Sequence, residues 1–440
     1  MRKTLAAICA LLCAAAPAIG QERPQAYVGA RVVPISGAEI PNGVLVVHRG
    51  KIVDVGPAAS VKIPSNAERV DVSGKVIMPG LVDTHSHIGG VGGADSSSPI
   101  QPDVRAYDSI DVRDAGIQKA QAGGITTVNV MPGSGHLLSG QTVYLKLRDG
   151  ETIDDLAYKN GDGSPAGGIK MANGTNPMRA AGSPGGFPET RAKSVALVRE
   201  QFVKAIDYSE KVRRANGDKE KLPARDLGLE ALVDVLEGRR VVHHHTHRHD
   251  DIVTVLRLAK EFGFKVILQH VTEGHKVADE IARSGAPASI IVIDAPGGKL
   301  EAKELSIENG RILDQAGVLV GFHTDDGITD SRHFLRSAAL AVRGGMPREK
   351  ALAAMTINGA KMLDLQGRVG SLEAGKDADF IVLSGDPLSV YTKVLETYVE
   401  GVRVFDRNDP KDRLYAVGGY GASHDQHMHL DCYGETGGNH

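Results

Sequence analysis

The feature that most constrains how this chain can fold is a series of eight apolar runs, separated by helix-like or turn-rich sequence, between residues 80 and 324. The runs are 80–87, 125–130, 142–147, 168–172, 240–247, 265–270, 288–293 and 318–324. Strand-length apolar runs that alternate with helical periodicity imply βα units and a parallel sheet. Eight of them, over a span that fits the ~250 residues of a (β/α)8 barrel with insertions, predict an α/β chain built on a TIM barrel. The largest insertion, 175–238, carries helices and a charged loop at 211–221.

Short alternating strands with turn punctuation flank this region on both sides, as in Val44-Leu45-Val46-Val47 and Phe380-Ile381-Val382-Leu383. The two flanks can pair into one small β-sandwich domain, since chain termini often lie close together. The predicted organisation is a signal peptide at 1–20, the sandwich at 21–78 and 367–412, the barrel at 79–366, and a mobile tail at 413–440.

The leader reading rests on Arg2 and Lys3, a short apolar run from Leu5 to Ala16, and Ala18-Ile19-Gly20, which offers small residues where a signal peptidase reads. The run is too short to span a bilayer. Removal of the leader takes Cys9 and Cys13 with it and leaves Cys432 alone, so no internal disulfide is expected in the exported chain. The expected location is periplasmic or secreted, with no membrane attachment after cleavage.

Net charge is -3 over 440 residues and no basic block stands out, which argues against nucleic acid as a partner. Trp is absent and aromatics are 4%, which argues against a stacking platform. The expected partner is a small-molecule substrate, and a homo-oligomer is left open. The histidine count of 17 is the outlier, and it matters because of where the histidines stand.

On the first run, Asp83, His85 and His87 alternate onto one face, so two imidazoles at a strand end can reach one metal ion from the same side. Packing two imidazoles and a carboxylate into a barrel interior as mere filler would be costly. On the fifth run, His243, His245 and His247 share a face, with His244 and Thr246 opposite. Val266-Ile267-Leu268-Gln269 lands on His270, and Gly321-Phe322-His323-Thr324 lands on Asp325. Lys170 sits among apolar neighbours in the fourth run, where a buried ammonium is expensive.

Pro79-Gly80-Leu81-Val82-Asp83-Thr84-His85-Ser86-His87 resembles the first barrel strand of the amidohydrolase superfamily, in its imidazolonepropionase-like and prolidase-like branch. The stretch at 370–380, Gly-Ser-Leu-Glu-Ala-Gly-Lys-Asp-Ala-Asp-Phe, is similar to the family's return into its divided β domain. The resemblance implies metal ligands at His85, His87, His245, His270 and Asp325, with Lys170 as a carbamylated bridging ligand if two ions are held. It implies Asp325 as the base that takes a proton from a metal-activated water. His136, His247 and His323 are expected beside substrate or behind the ligands, and His244 and His249 in ordinary polar surroundings. His243 is undecided. The donor set, without thiolate, suits Zn²⁺ best, with Mn²⁺, Co²⁺ or Fe²⁺ as alternatives.

The expected activity is therefore hydrolysis of a C–N bond in a peptide-like, N-acyl or cyclic amide. Two alternatives compete. A mononuclear deaminase needs a Glu near the fifth strand, where this chain has His-Thr-His; an inactive barrel scaffold should lack one of the ligand positions, and none is missing.

Overall fold

In the computed structural model, residues 22–92, 95, 97–180, 188–293 and 299–418 are described. The predicted leader, and the tail histidines His424, His427 and His429, lie outside them. Among the described residues, no helix is long and apolar enough to cross a membrane.

Among the described residues, seventeen strands form three sheets. The first five are β1 (Gln25–Val32), β2 (Ile40–His48), β3 (Lys51–Pro57), β4 (Glu68–Asp71) and β5 (Val76–Pro79). Nine central strands follow: β6 (Leu81–Ser86), β7 (Ile125–Val130), β8 (Leu138–Gln141), β9 (Val143–Lys146), β10 (Ile169–Ala172), β11 (Val242–Thr246), β12 (Val266–His270), β13 (Ala288–Ile290) and β14 (Val320–Phe322). The last are β15 (Phe380–Leu383), β16 (Val394–Val399) and β17 (Val402–Asp406).

The N- and C-terminal flanks do combine, through the antiparallel pairing of β5 with β15. Their strands make one hydrogen-bonded sheet, in the order β17-β16-β15-β5-β1-β2-β3, with β4 on β1. The two flanks thus share a single continuous ladder. One of its faces is closed by Tyr27, Phe380 and Tyr398, whose rings stack or meet edge-on at 4.4–5.3 Å.

All eight predicted runs are strands, and seven of them pair in parallel. The run 142–147 is the exception: β9 pairs antiparallel with β7, and β8 pairs antiparallel with β10. The segment between β7 and β9 holds no helix to carry a parallel crossover, so the chain returns as a hairpin-like excursion instead. Two arcs result, β6-β7-β9 and β8-β10-β11-β12-β13-β14. The chain itself joins them between β8 and β9. At the other side, the Asp325 N–H donates to the His85 carbonyl (2.9 Å), bringing the end of β14 against the end of β6.

The large insertion forms the helices Thr175–Ala180, Arg191–Ala215 and Leu227–Leu236. Asp226 caps the last of these by accepting from Leu229 N–H, and the charged segment after 211 closes the long one at Asn216, in the left-handed conformation. The start expected for the tail, residue 413, falls within a helix. Pro410–Val417 is a helix, started by Asp409 and Pro410 and packed on Ala115–Ala122.

The terminal sheet is tied to the central strands by charge. Lys146, on β9 and fully buried, donates to Asp377 and lies 3.2 Å from Asp379 and 3.3 Å from Glu400. Burial works against its charge, but the three carboxylates raise its pKa overall. Removing one partner from such a network would leave buried charge uncompensated, at a cost of about 3–5 kcal/mol.

Candidate metal centre

The strand ends converge on one point. Leu81, Val82 and the following residues of β6 are fully buried, and alternation brings His85 and His87 round beside Asp325. His87 Nε2 lies 3.0 Å from Asp325 Oδ1, and His85 Nε2 lies 3.4 Å from the same oxygen. Three ligand-capable groups overlap: His85, His87 and Asp325; His85, His270 and His323; and His245, His247 and His270. The shared members, His85 and His270, have ring centroids 4.8 Å apart. His87 and Asp325 are the partly open members, with side chains 21% and 13% exposed, so the mouth of the site is on their side.

Four of the buried side-chain atoms that lack a hydrogen-bond partner are imidazole nitrogens of this cluster. His85 Nδ1, His245 Nδ1, His247 Nε2 and His270 Nε2 are all buried and make no hydrogen bond within the protein. Leaving several buried ring nitrogens unsatisfied costs free energy that a coordinated ion would offset. The other ring nitrogens are held by neighbours that fix orientation: His87 Nδ1 by the Met131 carbonyl (2.8 Å), His247 Nδ1 by Thr272 Oγ1 (2.7 Å), and His323 Nδ1 by Ser289 Oγ (2.8 Å). The residues present fit a divalent cation.

Three strained backbone positions lie at the same place. His270, Val271 and Asp325 have φ of 69°, 51° and 48°, a region that non-glycine residues seldom occupy. Asp325 is kept there from below by Asp83. The Asp83 carboxylate accepts from Thr324 Oγ1 (2.5 Å), Thr324 N–H (3.1 Å) and His85 N–H (3.2 Å). The alternation rule put Asp83 on the ligand face; the structure uses it as a clamp between the ends of β6 and β14. Burial pushes its pKa up to about 7, against those hydrogen bonds.

Lys170 is fully buried, as its sequence context implies, and donates to His85 Nε2 (2.9 Å) and Met131 Sδ (3.1 Å). His243 resolves towards structure rather than chemistry: it lies between the Tyr144 hydroxyl (3.1 Å) and the Gln269 amide (3.2 Å), below the ligand cluster. His244 contacts the His245 carbonyl and His249 the Glu273 carboxylate. His247 and His323 stand inside the cluster, stacked at 5.0 Å on His270 and His85 respectively. His136 is buried in the segment between β7 and β8 and belongs to none of the three groups.

One nearby residue escaped the sequence reading. Lys299 Nζ lies 3.3 Å from His245 Nε2, 2.7 Å from Asn176 Oδ1 and 3.3 Å from Glu301. It follows Pro296-Gly297-Gly298, which reads as an exposed loop, so no sequence signal distinguished it from a solvated lysine.

Burial sets the electrostatics. It pushes the imidazoles of His85, His245, His247 and His270 well below their usual range, with Lys170 or Lys299 adding to the effect at His85 and His245. It takes His243 and His323 to about 3 and His244 to about 4. Burial opposes ionisation of Asp325 too, but the imidazoles of His85, His270 and His87 hold its carboxyl well below the ordinary range. These shifts favour a carboxylate at Asp325 and neutral imidazoles at His85, His245, His247 and His270, the protonation states that metal binding needs.

This arrangement predicts acid sensitivity. A histidine whose folded pKa is depressed stabilises the fold above its unfolded value of ~6.5 and loses that contribution as pH falls towards its folded value. Asp83 and Asp326, raised to about 7 and about 6, act in the opposite sense, but seven depressed imidazoles outweigh them. Chelator-treated protein should therefore show a falling urea midpoint between pH 6.5 and 4. A midpoint that is flat or rising across that window would contradict the buried, neutral cluster.

The amidohydrolase family profile matches residues 76–404. The chain belongs to the amidohydrolase family. An amidohydrolase from Thermotoga maritima superposes with a TM-score of 0.81 at 34% identity, covering 87% of this chain and all of that one. The imidazolonepropionase of Rhizobium rhizogenes is 27% identical over 81% of this chain and 90% of its own length. The amidohydrolase tasK of Hapsidospora irregularis is 29% identical over 83% of this chain, which spans only 40% of that protein. A 5-methylthioadenosine/S-adenosylhomocysteine deaminase of Symbiobacterium thermophilum is 25% identical over 81% of the chain. A prolidase complexed with N-methylphosphonate-L-proline shares the fold at 19% identity and a TM-score of 0.55.

Proposed function

We propose that this amidohydrolase is a metal-dependent hydrolase of C–N bonds in peptide-like, N-acyl or cyclic amide substrates. The observation that carries the proposal is the convergence of three overlapping ligand groups, in which four buried ring nitrogens lack partners. The two arcs are read as one barrel with this cluster at the C-terminal ends of its strands, where barrel enzymes place their chemistry. The leader reading of residues 1–20 adds export to the proposal.

His85, His87, His245, His270 and Asp325 would hold the ion, and Lys170 a second one. When bound there, a divalent ion such as Zn²⁺ would supply Lewis acidity, lowering the pKa of the attacking water towards ~7 and polarising the scissile carbonyl. Asp325 accepts the proton of the attacking water on a carboxylate oxygen and returns it to the leaving nitrogen, so the amine departs neutral. His87 orients that carboxylate from 3.0 Å. Lys170 would serve a second ion as a carbamate, for which its neutral Nζ would add to carbon dioxide, forming an N–C bond and releasing one proton.

The test is turnover on a panel of N-acyl amino acids, dipeptides and cyclic amides, with and without chelation and re-addition of Zn²⁺ or Mn²⁺. Expected is amide hydrolysis that chelation abolishes and metal restores. Release of ammonia from an aminopurine or aminopyrimidine, with the amides inert, would replace this reading by the deaminase. Inertness on every substrate, with no bound metal, would replace it by a scaffold.

A further inference from the structure

A cavity of about 1260 Å³ opens at the opposite end of the barrel strands from the histidine cluster. It is lined where strands begin rather than end: Gly167 before β10, Val241 before β11, Lys265 to Ile267 at the start of β12, and Pro287 before β13. Its floor is apolar and buried, made by Tyr144, Phe264, Ile267, Met362, Leu363 and Leu365. Its rim is strongly basic. Eight Lys and Arg side chains line it against two acidic ones, Glu280 and Asp364.

Half of those basic groups are already matched by carboxylates. Lys159 pairs with Asp154, Arg239 with Asp234, Arg283 with Glu280 and Arg368 with Asp377. Arg257, Lys260, Lys265 and Lys361 form no ion pair among the described residues. On a chain whose net charge is -3, four unmatched cations around one apolar hollow are a local field of the opposite sign. The volume is at or above that of a drug-sized ligand site, where an apolar lining with a few convergent polar groups is the usual composition.

We propose that this cavity binds a soluble amphiphilic anion: an apolar body on the floor, and a phosphate, sulfate or carboxylate head among Arg257, Lys260, Lys265 and Lys361. The site is separate from the catalytic cluster and does not depend on the reaction assigned to it. Tyr144 connects the two ends, since it lines the cavity and its hydroxyl bonds His243, two residues before His245 on β11.

Calorimetric titration of the full chain with dodecyl phosphate, below its micelle concentration, tests the proposal. Saturable binding is expected, weakened at least tenfold in a K265E/K361E variant and unchanged in K219E, which alters an exposed lysine elsewhere. Two reference probes separate the contributions: inorganic pyrophosphate carries the charge without the apolar body, and dodecyl maltoside the apolar body without charge. Both should bind at least tenfold more weakly. No saturable binding, binding of either reference probe as tight as dodecyl phosphate, or an unchanged affinity in K265E/K361E would each overturn the proposal. Circular dichroism and the thermal midpoint confirm that both variants fold.

Discussion

Replacing Asp325 by Asn should lower kcat for amide hydrolysis by about 10³-fold, the middle of the range for loss of a positioned general base. The substitution is nearly isosteric, and Asn tolerates the left-handed backbone found at this position (φ 48°) better than most residues. The backbone bond from residue 325 to the His85 carbonyl survives it, as does the Asp83 clamp on Thr324. What is lost is a basic oxygen. The three imidazoles around Asp325 hold it ionised, whereas the amide oxygen of Asn does not accept a proton near neutral pH. The thermal midpoint and metal content should be read alongside kcat. A loss below tenfold, with metal and fold intact, would move the base elsewhere in the cluster.

The second large effect is expected at Lys170. Its Nζ is fully buried beside His85, at the heart of the site rather than at its rim. A Lys170→Met variant keeps most of the volume but removes the amine. Bound metal, measured by elemental analysis, should fall from two ions per chain to one or none, with activity at least ~10²-fold lower. Reconstitution of the wild type in carbon-dioxide-free buffer should show the same deficit, and bicarbonate should repair it there but not in the variant. One ion per chain in both proteins, indifferent to bicarbonate, would rule out the bridging carbamate and leave a mononuclear site.

Much of the site is legible in local sequence because strand periodicity assigns side chains to faces. Alternation places His85 with His87 and His245 with His247, and an apolar run ending in His270 marks a strand end. The same rule is blind to depth along a strand. His243 shares the face of His245 yet lies one layer lower, against Tyr144 and Gln269. Strand direction escapes it too: the run 142–147 alternates like the others, but the helix-free connection from β7 makes it antiparallel. That signal was present at 131–141, in the lack of helical periodicity.

Sequence alone determined the chemistry available: imidazoles, one strand-end carboxylate and one buried amine, each assigned to a strand by patterns a few residues long. Only the tertiary structure decided which of these meet. His85 and Asp325 are 240 residues apart in the chain, and their contact depends on how β6 and β14 are brought together. Asp83 became a clamp, and Lys299 came within reach of His245, for the same reason. Faces follow from local geometry, but contact between distant elements follows from pairing and packing, which no short stretch of sequence encodes.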